Sequence, residues 1–167
     1  MEEIILVNEL DEVIGVMEKL EAHQKGLLHR AFSVFVFNSK RELLMQQRAA
    51  HKYHSAGLWS NTCCSHPRPG EETIEAAQRR LNEEMGLSIE LESQFSFIYK
   101  TTFGNGLMEH EYDYVYFGYT DQNPHINPEE VSDFKWQNID ELRDQLIKKP
   151  EIFSFWFKIA FEKIFKA

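Results

Sequence analysis

The spacing of apolar and polar positions predicts strands in the first part of the chain. "IILV" and "EVIGVM", separated by "NELDE", predict one β-hairpin, and "AFSVFVFN" and "RELLMQQRA", separated by "SKR", predict a second. In the strand "AFSVFVFN" the residues on both faces are apolar, because Phe32, Val34 and Val36 alternate with a second set that includes Phe35 and Phe37. A strand with two apolar faces is typical of the centre of a sheet.

From residue 73 to residue 87 the apolar spacing becomes helical. Ile74, Ala77, Leu81 and Met85 recur at intervals of three and four, and Gly86 is placed to end the helix in the left-handed conformation. Further strands are predicted at residues 95–102, 109–120 and 133–137. "NIDELRDQLIKK" and "PEIFSFWFKIAFEKIF" predict two more helices, the second with its proline in the first turn.

This order of elements predicts a single domain, residues 1–167, of the α+β class. The expected architecture is layered α/β/α, with a mixed sheet between helices. A chain of 167 residues is long enough to bury a core without disulfides. The two cysteines are neighbours, and a bridge between adjacent residues would strain the peptide between them, so a reduced cytoplasmic location is expected.

Charge and hydropathy narrow the expected partners. The formal net charge is −9, and lysine and arginine are scattered along the chain, which argues against nucleic acid as the main partner. "MEEIILVNELDE" lacks a basic segment and its apolar run is too short for a signal peptide or a membrane span, so no membrane association is expected. A small anionic substrate would therefore need locally clustered cations or a metal ion.

The polar face of the helix at residues 73–87 has two interpretations. Arg79 with Glu83, and Arg80 with Glu84, are spaced to form i,i+4 ion pairs, as on an ordinary solvated helix face. Two adjacent carboxylates in the last turn, however, lie at the negative end of the helix dipole. This position costs electrostatic energy, and a Mg²⁺ ion carried by a substrate phosphate would offset that cost.

Two further segments place polar groups on one side of a strand. In "NTCCSHPRPGEE", Cys64 and His66 face one side of an extended chain and Cys63 faces the other. We predict that Cys63 packs inward as a small hydrophobe, whereas Cys64, close to a histidine, has the chemistry that could serve in proton transfer. Glu109 and Glu111 also share one face, which costs energy unless a cation or a shared proton lies between them; a solvated strand is the other interpretation.

The helix and the loop before it resemble the Nudix box, the G-x5-E-x7-R-E-U-x-E-E-x-G-U pattern of diphosphate-cleaving enzymes. Two positions depart from this pattern: Ser65 replaces the leading glycine, and Arg80 replaces the glutamate that follows the arginine. The second change removes a carboxylate from the metal cluster on which hydrolysis in the family usually depends. The residues that match are Glu71, Arg79, Leu81, Glu83, Glu84, Gly86 and Leu87.

A narrower resemblance accounts for both departures. "WSNTCCSHPRPGE" is similar to the W-x-N-x-x-C-x-H-P-x-x-G-E signature of the type I isopentenyl diphosphate isomerases, an altered Nudix family. Further similar segments follow the same order along nearly the whole chain. The resemblance implies a Nudix fold and a 1,3-allylic rearrangement of isopentenyl diphosphate to dimethylallyl diphosphate, by protonation and deprotonation through a carbocation-like intermediate, in isoprenoid biosynthesis.

The resemblance also implies roles for individual residues. Mn²⁺, Zn²⁺ or Mg²⁺ would bind at His23, His29, His66, Glu109 and Glu111. Without the resemblance, His23 would be interpreted as a surface residue. Mg²⁺ carried by the substrate diphosphate would bind at Glu84, and Arg48, Lys52, Arg79 and Arg80 would grip the diphosphate. Cys64 and Glu111 would transfer the protons, Tyr99 would exchange a proton with Glu111, and Trp156 would line the pocket.

Two other functions remain open from the sequence. A Nudix-type diphosphate hydrolase would keep the fold but release a phosphate product, and Arg80 and Cys64 argue against it. A metal-dependent protein without catalytic activity would bind a diphosphate and leave it unchanged. The expected partner is in each case a small-molecule diphosphate, and the chain is expected to be a monomer or a homodimer.

Overall fold

A computed structural model describes residues 1–52 and 54–166 of the chain. In this part of the chain the strands are β1 Glu3–Val7, β2 Val13–Glu18, β3 His29–Phe37, β4 Glu42–Arg48, β5 Trp59–Ser60, β6 Cys63–Ser65, β7 Glu92–Thr102, β8 Met108–Tyr119 and β9 Val131–Asn138. The α-helices are α1 Lys19–Lys25, α2 Thr73–Met85, α3 Ile139–Lys148 and α4 Phe155–Ile164, and Pro150–Ile152 form a 3₁₀ turn.

Strand β3 is the centre of the mixed sheet. It pairs in parallel with β8 along its whole length, from His29 opposite Glu111 to Phe37 opposite Tyr119. On its other side β3 pairs antiparallel with the short strand β6, and β7 continues the sheet beyond β8. This parallel pairing, with antiparallel strands around it, confirms the predicted mixed sheet.

Both predicted hairpins form, but the second opens out. Strands β1 and β2 pair along their length, whereas β3 and β4 pair only at Phe37 and Leu43. Beyond that point this edge of β4 pairs with β5, while β9 pairs along the opposite edge of β4. The loop that precedes β6 thereby enters the gap between β3 and β4, and β6 brings the two cysteines against the centre of the sheet.

Alternate residues of β3 pack under helices on opposite faces of the sheet, which confirms the layered architecture. Phe32, Val34 and Val36 belong to a buried cluster that includes residues of α2. Phe35 and Phe37 belong to a second cluster that includes residues of α3 and α4. Full burial of a phenylalanine side chain contributes about 1.5–3 kcal/mol to the stability of the fold. The two faces of β3 therefore hold both helical layers in place.

The helices differ from the predicted ones in two respects: α4 begins later than expected, and one short helix was not predicted. Pro150 begins a 3₁₀ turn and not α4, which starts only after Ser154. The backbone N–H of Ser154 donates to the Trp59 carbonyl, and its hydroxyl lies 2.8 Å from the Ser60 hydroxyl, so the chain is tied to β5 in an extended conformation before the helix begins. The seven-residue helix α1 was not predicted, because it is too short to show helical periodicity.

No helix among residues 1–52 and 54–166 combines the length and the apolar composition that crossing a membrane requires.

Gly86 is expected to be essential to the packing at the end of α2. It has a φ of 63°, and a Cβ there would lie 2.7 Å from the carbonyl oxygen of His125. An alanine in the left-handed conformation costs about 1–2 kcal/mol by itself. Because of the additional clash, Gly86→Ala should lower the free energy of unfolding by more than this amount, measured by chemical denaturation.

Gly106→Ala is the matched control. Its φ is 83°, and no described atom lies within 4 Å of its would-be Cβ, so only the left-handed strain should be lost. Equal losses of stability in the two variants would contradict the assignment of a backbone clash at Gly86.

Candidate active site

Four separate segments bring histidines and carboxylates to one end of the sheet. Helix α1 carries His23, the first residue of β3 is His29, and His66 follows β6 directly. Strand β8 contributes Glu109 and Glu111, and its parallel register places Glu111 opposite His29. All five residues are buried, with at most 9% of the surface of each residue exposed.

Four of these residues form a compact cluster of metal-ligand atoms. One ligand atom from each of His23, His29, His66 and Glu109 lies within 4.8 Å of all the others. Glu109 Oε2 is 3.4 Å from His23 Nε2 and 3.9 Å from His29 Nε2. Glu111 lies next to these four residues, since its Oε2 is 3.1 Å from His66 Nε2 and 3.7 Å from His29 Nε2. We name these five residues the His/Glu cluster.

Hydrogen bonds orient two of the imidazole rings towards the cluster. His23 Nδ1 lies 2.6 Å from the Lys19 carbonyl oxygen, and His29 Nδ1 lies 2.9 Å from the Leu27 carbonyl oxygen. Because a carbonyl only accepts, each Nδ1 carries the hydrogen, and each Nε2 presents a lone pair to the cluster when the ring is neutral. Burial lowers the pKa of His29 to about 4, which favours the neutral form that binds metals.

The residues of the His/Glu cluster fit a divalent cation. Among the described residues, the buried atoms His29 Nε2, His66 Nε2 and Glu109 Oε2 have no hydrogen-bond partner. Leaving such groups unsatisfied costs about 1–3 kcal/mol each, and a metal ion would satisfy all three at once. Imidazole and carboxylate donors together suit Zn²⁺ or Mn²⁺.

Cys64 lies beside the cluster with its sulfur held from two sides. The Trp156 indole N–H donates to Cys64 Sγ at 2.9 Å, and the thiol donates to Asn61 Oδ1 at 3.2 Å. The Asn61 amide is itself oriented, because its nitrogen donates to the carbonyls of Val34 and Cys63. Burial, reinforced by the charge of Asp113, raises the pKa of the Cys64 thiol to about 12.

Cys63 lies on the opposite side of β6, as predicted from the alternation. Cys63 is fully buried in the hydrophobic cluster between the sheet and α2, and its thiol donates to Glu84 Oε2 at 2.7 Å. This bond was not predicted, since nothing in the sequence places α2 over β6. Burial raises the pKa of Glu84, while Arg80, with Nη2 at 3.5 Å from Glu84 Oε1, acts in the opposite direction.

Tyr99 and Glu111 form a buried pair. They are directly opposite each other in the antiparallel register of β7 and β8, and the Tyr99 hydroxyl donates to Glu111 Oε1. Burial, followed by the charge of Glu109, raises the pKa of Glu111 well above its usual range. Glu111 therefore touches a phenol on one side and the imidazoles of the His/Glu cluster on the other.

A cavity, which we name the central cavity, opens against these groups. Its walls include Lys19, Arg48, Lys52, His54, Cys64, His66, Arg80, Glu84, Glu109, Glu111 and Trp156. Three of the four cations predicted to grip a diphosphate are therefore in its wall. Glu130 links two of them, because it pairs with Lys52 and lies 3.5 Å from Arg80 Nη2.

The structure does not bring Arg79, the fourth predicted cation, to the central cavity. Its guanidinium binds both carboxylate oxygens of Glu71, at 2.7 Å and 3.0 Å, and reaches Glu83 at 3.4 Å. Glu71 in turn accepts from the backbone N–H of Arg68. Arg79 thus fastens the loop after β6 to helix α2.

Several residues at the site were missed from the sequence. Lys19 stands one helical turn before His23, so the spacing was a usable signal. His54 and Glu130 gave none, because each lies in a loop where periodicity is uninformative. Asn61 is the asparagine of the W-x-N-x-x-C-x-H-P-x-x-G-E signature, but it was assigned no role. Asp113 continues the i,i+2 series of Glu109 and Glu111, and it accepts a hydrogen bond from the Ser33 hydroxyl at 2.7 Å.

Comparisons with known proteins give one family. The profile of the NUDIX domain matches residues 27–157. An isopentenyl-diphosphate Delta-isomerase of Pectobacterium atrosepticum is 57% identical over 97% of this chain and 90% of its own length. Isopentenyl-diphosphate Delta-isomerase 2 of Aromatoleum aromaticum is 53% identical over 98% of this chain and 86% of its own length.

Solved structures share the fold at low sequence identity. A crystal structure from Deinococcus radiodurans superimposes with a TM-score of 0.82 at 21% identity, covering 99% of this chain and 100% of that chain. The MutT protein of Methanosarcina mazei gives a TM-score of 0.68 at 18% identity over 81% of this chain and 91% of that one. These similarities confirm the predicted Nudix fold.

Divalent cations are expected to stabilise the folded protein through the His/Glu cluster. A ligand that binds only the folded state adds about 2.7 kcal/mol at a free concentration 100 times its Kd. Adding Zn²⁺ or Mn²⁺ to chelator-treated protein should therefore raise the melting temperature, followed by circular dichroism.

His29→Ala should abolish most of that rise, whereas His51→Ala, at an exposed position, should keep it. A metal-induced rise of the same size in His29→Ala would show that the ions act elsewhere on the protein.

Proposed function

Because the chain belongs to the Nudix family and, within it, to the isopentenyl-diphosphate Delta-isomerases, we propose that it converts isopentenyl diphosphate to dimethylallyl diphosphate in isoprenoid biosynthesis. One observation carries the chemistry. Cys64 and Glu111, which we propose as the proton-transfer groups, line the same central cavity as the cations Arg48, Lys52 and Arg80.

The rearrangement moves a double bond by one carbon. A proton is added at the terminal methylene carbon, and another is removed from C2, so the enzyme needs an acid and a base that reach the two ends of the allylic unit. We assign these roles to Cys64 and Glu111. Tyr99, which donates to Glu111, would pass a proton to or from that carboxyl group.

Proton transfer by positioned groups accounts for about 10²–10⁴-fold of an enzyme's rate enhancement, so the positive charge on carbon needs further stabilisation. Trp156 supports this role, because an aromatic face attracts a cation and the ring lines the central cavity. The indole N–H also holds Cys64 Sγ, so one side chain would position the thiol and stabilise the intermediate.

The diphosphate would bind at Arg48, Lys52 and Arg80. Arginine offers a planar pair of donors that matches phosphate oxygens, and lysine adds a mobile charge. The Arg48 guanidinium lies 5.0 Å from the centre of the Trp156 ring, so the proposed anion-binding side of the cavity would adjoin the proposed hydrocarbon side. Arg79 was predicted to share this role, but its bidentate pairing with Glu71 favours a structural one.

Two divalent cations are part of the proposal. An ion at the His/Glu cluster would supply fixed positive charge beside Glu111. Its identity among Mn²⁺, Zn²⁺ and Mg²⁺ is left to experiment. Glu84, whose carboxylate faces the cavity near Arg80, would hold Mg²⁺ brought in with the substrate diphosphate.

Diphosphate hydrolysis is not favoured. In the Nudix box the position of Arg80 is occupied by a glutamate of the hydrolytic metal cluster, and here a cation in the cavity wall replaces it. The chain keeps Glu84 but has no carboxylate at position 80, one helical turn before it. A cytoplasmic location and a monomeric or homodimeric state remain predictions.

The proposal is tested by incubating the purified protein with isopentenyl diphosphate and Mg²⁺ in D₂O and following the products by NMR. We expect dimethylallyl diphosphate that carries deuterium, since the added proton comes from groups that exchange with solvent. Release of inorganic phosphate would favour the hydrolase instead, and unchanged substrate would favour a protein that only binds the diphosphate.

The two cysteines are expected to respond differently to substitution. Cys64→Ala removes a proposed proton-transfer group and should lower kcat by about 10²–10⁴-fold. Cys63→Ser is the control, because it keeps a donor for Glu84 on the buried side of β6 and should retain most of the activity. The assignment fails when both variants lose activity equally while remaining folded by circular dichroism.

A further inference from the structure

His54 is a fourth histidine at the site, and none of the proposed roles includes it. It lies between β4 and β5, is buried with 8% of its surface exposed, and lines the central cavity. Its Nε2 lies 2.9 Å from Glu109 Oε1. His54 is not one of the five residues of the His/Glu cluster, and it contacts Glu109 at Oε1, whereas His23 and His29 lie closest to Oε2.

Aromatic packing holds the His54 ring in one orientation. The ring stacks on Phe103 with centroids 4.7 Å apart and planes inclined by 8°. It meets the Trp156 ring edge to face at 5.9 Å and 89°. The Arg48 guanidinium also donates to the His54 backbone carbonyl at 3.3 Å. A ring packed against two aromatic side chains and held at its backbone keeps Nε2 directed at Glu109.

The two oxygens of Glu109 therefore face different surroundings. Oε1 receives the contact from His54, while Oε2 faces the imidazoles of His23 and His29 and has no hydrogen-bond partner among the described residues. A carboxylate can bind a metal ion through one oxygen or through both. A donor fixed on one oxygen leaves the other for the ion and prevents the group from rotating.

We propose that His54 is a positioning residue that orients Glu109, so that this carboxylate offers a single oxygen, Oε2, to the metal ion of the His/Glu cluster. The proposal rests on the metal site of the proposed function but not on the reaction that it supports. Through the shared contact with Trp156, which also binds Cys64 Sγ, the same ring connects the His/Glu cluster to the proposed proton-transfer thiol.

Metal binding without substrate tests the proposal. Chelator-treated His54→Phe, His54→Gln and wild-type proteins are titrated with Zn²⁺ by calorimetry. His54→Phe keeps a flat ring for stacking but loses the donor, and it should bind Zn²⁺ about 10–100-fold more weakly, the usual cost of losing an outer-shell partner. His54→Gln keeps an N–H donor at a similar reach and should recover much of the affinity.

A second readout separates positioning from general loss of structure. Co²⁺ bound in the wild-type protein reports its coordination through its visible absorption bands, which should change in His54→Phe and resemble the wild type in His54→Gln. His51→Phe, at an exposed position three residues earlier, should match the wild type in both measurements. Melting temperatures of all variants check that each is folded.

The outcomes are distinct. Equal Zn²⁺ affinities and Co²⁺ spectra for His54→Phe and the wild type would overturn the role of His54, and so would a wild-type protein that binds no ion at the His/Glu cluster. Weakened metal binding in His54→Phe together with no isomerase activity in the wild-type protein would leave the positioning role standing and refute the proposed function instead.

Discussion

The burial of three carboxylates on one face of β8 is the constraint on which the site depends. Glu109, Glu111 and Asp113 alternate along the strand, and at most 7% of each is exposed. Charges of one sign in a buried space are costly unless each is paired, protonated or bound to a cation. The neighbouring helix, strands and loop supply different partners for each carboxylate, and the three carboxylates therefore differ in charge and in hydrogen bonding.

Glu109 is surrounded by imidazoles. Burial alone would raise its pKa, but the close imidazoles of His23 and His54 outweigh burial and lower that pKa well below its usual range. Glu111, one pleat further, receives the Tyr99 hydroxyl, and burial raises its pKa. Burial raises the pKa of Asp113 to about 7, and the Ser33 hydroxyl donates a hydrogen bond to its carboxyl group. One strand thus presents a carboxylate suited to a metal and a second suited to proton transfer.

The positive side of the central cavity is built by the same kind of compensation. Lys52 and Arg80 converge although they repel each other, because Glu130 contacts both. Glu84 is buried in the last turn of α2, where the helix dipole disfavours an anion, and Arg80 and the Cys63 thiol offset that cost. Arg79, one residue before Arg80, pairs with Glu71 instead, so one of these neighbouring arginines fastens a loop and the other lines the central cavity.

The sequence by itself determined the central strand, the bounds of α2 and the division of the two cysteines, because periods of two and of three to four residues depend only on local backbone geometry. Similarity of ordered motifs supplied the family and most of the proposed site residues. Tertiary structure alone decided that Arg79 pairs with Glu71 away from the central cavity, that Cys63 donates to Glu84 and that His54 contacts Glu109. Each of these contacts joins residues at least eight positions apart, and a hydrogen-bond partner across such a distance is chosen by packing, which no local pattern encodes.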